Sequence, residues 1–291
     1  MCPSTEHERA AHLRRAIRKN GLTPPARSLF NDVVYAYYRK HARPFPWRTS
    51  RNPYHILVSE MMLQQTQAQR VVEKYRQFIM TFPDFPSLAE ASLQDILRVW
   101  QGLGYNRRAL GLKKIAQLVV MSFHGMLPSS VEGLAQLPGV GRATASAIAA
   151  FAFNKPIVFV ETNVRSVFIF FCFDHRHRVA DKEILPLVET TLDRSHPRKW
   201  YNAVMDYGAM LKRTYHNLNR RSVHYSWQPP FDGSDRQVRG MIVKLLTARP
   251  NLSQGQIRQA LGTSSDRIAS ILIQLQKEGF IVEETARFRI A

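Results

Sequence analysis

The sequence predicts a mainly α-helical protein ending in a small winged-helix-like unit. Three observations carry this. Between residues 55 and 173 apolar residues recur at helical spacing in one segment after another, with short breaks. No clean run of alternating strands precedes residue 280. Residues 235–291 read as three short helices and a hairpin. The 291 residues suit about two ordinary domains. A hydrophobic content of 45% against 22% charged residues suits a sizeable core.

In chain order, residues 1–28 are polar and basic and read as a loosely held N-terminal arm. Residues 28–42, SLFNDVVYAYYRKHA, read as a helix, and 43–54 contain three prolines and must be irregular. Helical patterns then cover 55–82, 87–101, 107–124, 131–136, 142–153 and 163–173. Residues 212–234 read as an extended basic linker, with Lys212, Arg213, Arg220 and Arg221 interleaved with Tyr215, Tyr225 and Trp227. A helix over 235–248 opens the C-terminal unit. Ser253 and Gln256 form a capping box for the next one. In 265–279, Ile268, Ile271, Leu272 and Leu275 share one face and Gly279 ends the helix. FIVEETARFRI is a hairpin. Such a winged helix is either a DNA reader or a protein-contact module.

The charge is lopsided: 41 Lys+Arg against 22 Asp+Glu gives +19 and a pI near 10.4. Such a chain expects a polyanion, nucleic acid first and an anionic membrane surface second; a merely solvated basic surface is the bland alternative. Two cysteines, Cys2 and Cys172, exclude a disulfide framework and a four-cysteine zinc or iron–sulfur site within one chain, and suit a reducing compartment. The most apolar segment is broken by Glu161, Asn163 and Arg165, so it is no membrane span. The N-terminus is too charged for a secretory signal.

Two segments carry chemistry. In LAQLPGVGRATASAIAAF, residues 134–151, one helix ends and another begins at once. Gly139 and Gly141 let the backbone amides of Pro138–Arg142 approach a partner, and with the next helix's N-terminus they suit a phosphate oxygen. This resembles the helix-hairpin-helix motif of DNA-binding proteins; an ordinary helix–turn–helix connection is the alternative. In LVSEMMLQQTQ, residues 57–67, Glu60 sits inside an apolar run. Ile56 and Leu63 share its face, so its pKa is expected to be raised, which suits a proton donor near neutral pH. The alternative is a buried glutamate paired with Arg43 or Arg48.

PWR…NPYHILVSEMMLQQTQ, FPDFPSLAEAS, GLGYNRRALGLKKIA, LPGVGRATASAIAAFAF, TNVRSV and WYNAVMDYGAM occur in this order. The series closely resembles the adenine DNA glycosylases of the MutY type, within the helix-hairpin-helix glycosylase superfamily, over residues 40–210. The resemblance implies a two-lobed helix-hairpin-helix glycosylase core over 29–211. One lobe holds six helices over about 55–160, and the second is formed by 29–54 plus 161–211. It implies that Glu60 protonates the adenine ring, that Gln65 wedges into the duplex, and that Tyr105 intercalates beside the opposing purine. Arg43, Phe45 and Trp47 fall on the wall of the adenine pocket, Asn202 on a further polar contact to the base, and Asn163 on the support of a second carboxylate. The hairpin's backbone carbonyls are the expected seat of a monovalent cation. The chemistry agrees: a base in a duplex is reached only by extrusion, and its bond breaks through an oxocarbenium-like state that needs an acid and a nearby anion.

Four departures stand out. The second carboxylate is an aspartate in the family, and Glu161 stands here; it is either the sugar-side anion or a structural partner of Arg165. Ala143 stands where related enzymes carry a lysine that attacks the sugar, so no Schiff base is expected and the reaction stops at the abasic site. The four cysteines of the iron–sulfur cluster are missing after GAM, so no cluster is expected, and Arg220 and Arg221 are candidates for the phosphate contacts of its loop. The domain that recognises 8-oxoguanine has no counterpart; the winged-helix-like unit follows instead. The expected protein is a monomeric, cytoplasmic, nucleoid-associated, monofunctional base-excision enzyme that removes adenine mispaired with guanine or 8-oxoguanine from double-stranded DNA. A thymine, uracil or other modified-base glycosylase, and a non-catalytic DNA-binding regulator, are the rivals.

Overall fold

A computed structural model describes residues 3–291 except His216, with the side chains of residues 3–5 left aside; Cys2 lies outside the described residues. The expected mainly helical architecture is observed, and the described residues fall into two compact units.

The first unit comprises the chain up to Arg51, Ser129–Ala135 and Gly141–Trp227. Its core joins Phe30, Phe168 and Phe171, with Phe30 and Phe168 stacked at 5.3 Å. Trp200 donates to Asn31 at 2.8 Å. Among the described residues, 3–28 do not form the loose arm expected. Pro3–Asn20 is a helix that buries Ala10, Leu13 and Ile17, three residues on one face. Arg14 pairs with Asp174 and lies over the Phe170 ring, and Lys40 pairs with Glu6 at 2.5 Å. Three apolar residues in a charged segment make a stripe too narrow to read from the sequence.

Two further helices, Asp181–Thr191 and Pro197–Thr214, complete this unit. Gly208 lets the last of them approach Thr162–Cys172 closely, since a Cβ there would collide with the Asn163 carbonyl oxygen. The expected linker also begins later than residue 212. The helix runs on to Thr214, and a turn at Leu218–Arg221 follows. There the buried Asn219 donates to the Thr162 carbonyl and to Ser166 Oγ. One asparagine therefore ties a polar stretch into the unit by satisfying buried acceptors. Residues 142–160 also belong here rather than with the six-helix lobe. Arg198 donates to the Ala152 carbonyl and Tyr201 to that of Ile157, which fastens the segment to the helix Pro197–Thr214.

The second unit comprises Asn52–Pro128, Gln136–Val140 and Gln228–Ala291. The single helical pattern over 55–82 resolves into two helices, Pro53–Leu63 and Ala68–Thr81, and that over 87–101 into Phe85–Glu90 and Leu93–Trp100. Ser92 caps the last of these through the Asp95 amide. The helix Arg107–Ser122 follows.

The C-terminal residues run helix Asp235–Ala248, strand Leu252–Ser253, helices Gln254–Leu261 and Ser265–Lys277, then strands Ile281–Glu284 and Arg287–Ile290. The last strand is central and antiparallel to the other two, pairing Phe288 with Leu252 and Ile290 with Ile281. This is the order of a winged helix. Ile268, Ile271, Leu272 and Leu275 are buried, and the Ser253–Gln256 capping box is formed. Thr285 and Ala286, with φ of 49° and 60°, make the tight turn of the wing. The winged helix packs within the second unit: Gln94 donates to the Thr247 carbonyl at 3.0 Å, and Glu278 pairs with both Arg107 and Arg239.

Candidate functional site

In the second unit the helix Pro53–Leu63 is started by Asn52, whose side chain accepts from the Tyr54 amide, and by Pro53 at its first position. Residues 56–59, Met61 and Met62 are buried on it, and Glu60 is half-buried among them. The backbone leaves the helix at Gln64, with ψ 116°, and Arg108 satisfies the carbonyls that this leaves free. The guanidinium donates to the carbonyls of Met61, Met62 and Gln64 at 3.1, 2.7 and 2.5 Å, and to those of Leu103 and Gly104 at 3.4 and 3.0 Å. Arg108 is 7% exposed, and burial pushes its pKa down to about 10. One buried cation thus binds the end of the Glu60 helix to the GLGY loop.

From this knot emerge Gln65 and Tyr105. Both have left-handed backbones, φ 53° and 49°, and both side chains are exposed. For a residue with a Cβ this costs on the order of 1–2 kcal/mol each. Both side chains are also held: Gln228 Nε2 donates to Gln65 Oε1 at 3.2 Å and to the Tyr105 hydroxyl at 2.8 Å.

The hairpin follows the expected geometry of a glycine turn. Gly139 has φ 77°, Val140 donates to the Leu137 carbonyl and is buried, and Gly139 and Gly141 are exposed. The helix Arg142–Phe153 then begins with exposed Arg142 and Ala143, and Pro138 is half-buried before the turn. The Gly139 carbonyl accepts from Gln64 Nε2 at 3.3 Å.

In the first unit Glu161 caps the helix Thr162–Cys172. One of its oxygens accepts from the Asn163 and Val164 amides at 2.8 Å each, and the other from Asn163 Nδ2 at 3.2 Å. Burial raises its pKa, against the pull of those amides, of Arg165 and of Arg43. Arg165 itself pairs with Asp181 through two bonds of 2.6 and 2.8 Å. The fork is spent there, so the alternative of a direct Glu161–Arg165 pair gives way to the helix cap.

Asn202 is buried, and one turn later comes Asp206, 2% exposed, which the sequence reading passed over. Arg43 and Arg48 both pair with it. Phe45 and Trp47 are buried with their rings stacked at 4.9 Å, and Arg43 and Arg48 lie over Phe45 at 5.0 and 5.2 Å. Arg43 is therefore committed to Asp206 rather than standing open on a pocket wall. The signal available in the sequence was the lone acid at i+4 from Asn202, opposite two arginines in 43–48.

Of the two arginines expected to meet phosphate, Arg220 is exposed. Arg221 is not available: it donates to the carbonyls of Phe173 and Arg176 just beyond the helix Thr162–Cys172. A half-buried arginine here satisfies carbonyls that the helix end and its following loop leave without an intrahelical donor. Among the described residues no three His, Cys, Asp or Glu side chains gather as a metal site, and no described helix is long and apolar enough to cross a membrane.

Residues 58–189 match the HhH-GPD superfamily of base excision DNA repair proteins. The adenine DNA glycosylase of Mycobacterium tuberculosis is 34% identical over 251 residues, covering 76% of this chain and 80% of that protein. That of Buchnera aphidicola subsp. Baizongia pistaciae is 32% identical over 183 residues, 62% of this chain and 52% of that protein, so this chain spans about half of its length. Among solved structures, a thermostable thymine-DNA glycosylase is similar with a TM-score of 0.58 and 26% identity, covering 68% of this chain and 92% of that one.

Proposed function

The chain belongs to the adenine DNA glycosylase family of the HhH-GPD superfamily, and on that premise we propose that it is a monofunctional glycosylase of base excision repair. Its substrate is double-stranded DNA carrying adenine opposite guanine or 8-oxoguanine. Gln65 and Tyr105 fill the duplex where the nucleotide leaves, Pro138, Gly139, Val140, Gly141 and Arg142 clamp a phosphate, and Arg220 adds a peripheral phosphate contact. Asn202, Phe45 and Trp47 bound the base pocket, with Arg43 and Arg48 holding its floor through Asp206. A monovalent cation would sit on hairpin carbonyls; those of Leu137 and Gly139 each already accept one hydrogen bond and keep a second lone pair. The protein works as a cytoplasmic, nucleoid-associated monomer without an iron–sulfur cluster.

In the reaction, protonated Glu60 gives its proton to a ring nitrogen of the extruded adenine. The bond from the sugar C1′ to the base then breaks, with its electron pair leaving on the base. Glu161, held by Asn163, faces the resulting oxocarbenium charge as an anion. Water adds at C1′ and gives its proton to the Glu60 carboxylate, which leaves the abasic sugar and restores the acid. Ala143 offers no amine, so no Schiff base forms and the strand stays intact.

The observation that carries this reading is the pair Gln65 and Tyr105: two exposed side chains on strained backbones, locked by one buried arginine. Such strain is what a probe set in advance for insertion requires. The test is incubation with A·G, A·8-oxoguanine, T·G and U·G duplexes followed by alkali. Adenine release that Glu60→Gln abolishes without loss of binding supports the reading. Release of pyrimidine alone favours the thymine or uracil enzyme, a reading motivated by the likeness to a thymine-DNA glycosylase. No release from any duplex favours the regulator.

A further inference from the structure

Gln228 opens the segment that leads into the winged helix, and its side chain is the one that meets both Gln65 and Tyr105. A primary amide has two N–H bonds, and Gln228 gives one to each. The stem beneath it is stiff. Pro229 and Pro230 follow directly, each with its φ set by the ring, and the Pro229 carbonyl accepts from Arg236 at 2.8 Å. Arg236 belongs to the helix Asp235–Ala248, the first of the winged helix.

The winged helix reaches the same loop a second time. Glu278 receives Arg107, two residues beyond Tyr105, through bonds of 2.8 and 2.5 Å, and is itself held by Arg239. Tyr105 is thus bracketed by two contacts from the C-terminal unit, one on its hydroxyl and one on its neighbour's side chain.

These contacts are exposed, so they add little to the stability of the fold. Their consequence is order. Gln65 and Tyr105 are long side chains in water, and fixing them only when DNA arrives would weaken the complex in which the base is out.

We propose that Gln228 is a positioning residue for base extrusion: its amide sets Gln65 and Tyr105 in the arrangement in which they enter the duplex, and this is how the winged-helix unit serves the reaction. The inference rests on the proposed glycosylase reading. It assigns the C-terminal unit a task other than reading DNA by itself.

The test uses the full chain and a duplex with 2-aminopurine at the target position, whose emission rises on unstacking, beside single-turnover excision of adenine at saturating protein. Gln228→Met keeps the length and removes both donors. It should lower the emission rise and the single-turnover rate about three- to tenfold, the cost of ordering one or two side chains. Affinity for a fully matched duplex and the melting temperature should stay at wild-type values. In a Tyr105→Phe background the effect of Gln228→Met should shrink, because the partner hydroxyl is already gone. Wild-type emission and rate in Gln228→Met would overturn the inference, as would an undiminished effect in the double variant or a loss accompanied by a lowered melting temperature. Wild-type protein that releases no base overturns the glycosylase reading and this inference together; wild-type excision matched by Gln228→Met overturns the inference alone.

Discussion

The guanidinium of Arg108 lies 2.7 Å from the carbonyl oxygen of Met62, and through this and its neighbouring bonds it caps the helix that carries Glu60. The same side chain holds the loop that presents Tyr105. Removing it leaves several carbonyls buried without a donor, each costing roughly 1–3 kcal/mol. Arg108→Ala should therefore destabilise the protein by about 3 kcal/mol or more in urea denaturation. Arg108→Lys keeps the charge but not the planar fork, and should recover only part of the loss.

Glu161 both caps a helix and is proposed as the sugar-side anion. Glu161→Gln keeps an oxygen for the Asn163 and Val164 amides but carries no charge. Its excision rate should fall on the order of a hundredfold or more, with little change in melting temperature. The pH dependence has a definite sign. Burial raises the carboxyl's pKa in the fold, so the fold binds the proton more tightly than the unfolded chain does. Its contribution to stability is then complete below the unfolded value of about 4.3 and is lost as pH rises through the raised value. Glu161→Gln should flatten that part of the stability curve.

Asp206 behaves in the opposite way. It is buried, which alone would raise its pKa, but its hydrogen bonds and charges from Arg48 and Arg43 bring it below the ordinary value. Its contribution is present above about 3.9, the unfolded value, and is lost as pH falls through the depressed folded value. Asp206→Asn leaves two arginines without their counter-charge and should cost about 3–5 kcal/mol, read from denaturant midpoints at pH 7. An unchanged midpoint would show that the arginines find another partner.

Glu278 gives a test of the winged helix's docking. Its two arginines lower its pKa to about 2. The clamp is fully formed above the unfolded value of about 4.3 and weakens as pH falls toward 2. Glu278→Gln should accelerate hydrogen exchange in residues 101–108 at neutral pH, and the difference from wild type should fade as the pH is lowered. Equal exchange at neutral pH would mean that the pair contributes nothing to this loop, as many exposed pairs do not.

Sodium borohydride added during turnover should trap no covalent protein–DNA adduct, because Ala143 has no amine. An adduct seen by gel shift would require another lysine at the sugar and would end the monofunctional reading.

Most helices were legible because their apolar faces repeat at 3.6 residues, and the C-terminal unit because its caps, buried face and hairpin all agree. The breaks at Gln64–Gln67 and at Ala91–Ser92 were not: the first is polar but carries no glycine or proline to mark a stop, and at the second apolar spacing continues through Ala91 to Leu93. The donor that satisfies the carbonyls left free at the first, Arg108, is more than forty residues away. The N-terminal helix was hidden for a related reason, its buried stripe being only Ala10, Leu13 and Ile17.

The sequence marked Glu60 as a carboxylate in an apolar run and Gly139 and Gly141 as a tight turn, both local anomalies, while Glu161 came forward only through the resemblance to a family. Which charges are spent inside the fold was beyond it. Arg43 and Arg48 on Asp206, Arg165 on Asp181 and Arg221 on two loop carbonyls all join residues far apart in the chain. A basic residue's sequence neighbours carry no record of its partner; only chain packing brings donor and acceptor within hydrogen-bond reach, and burial then makes leaving either unpaired too costly.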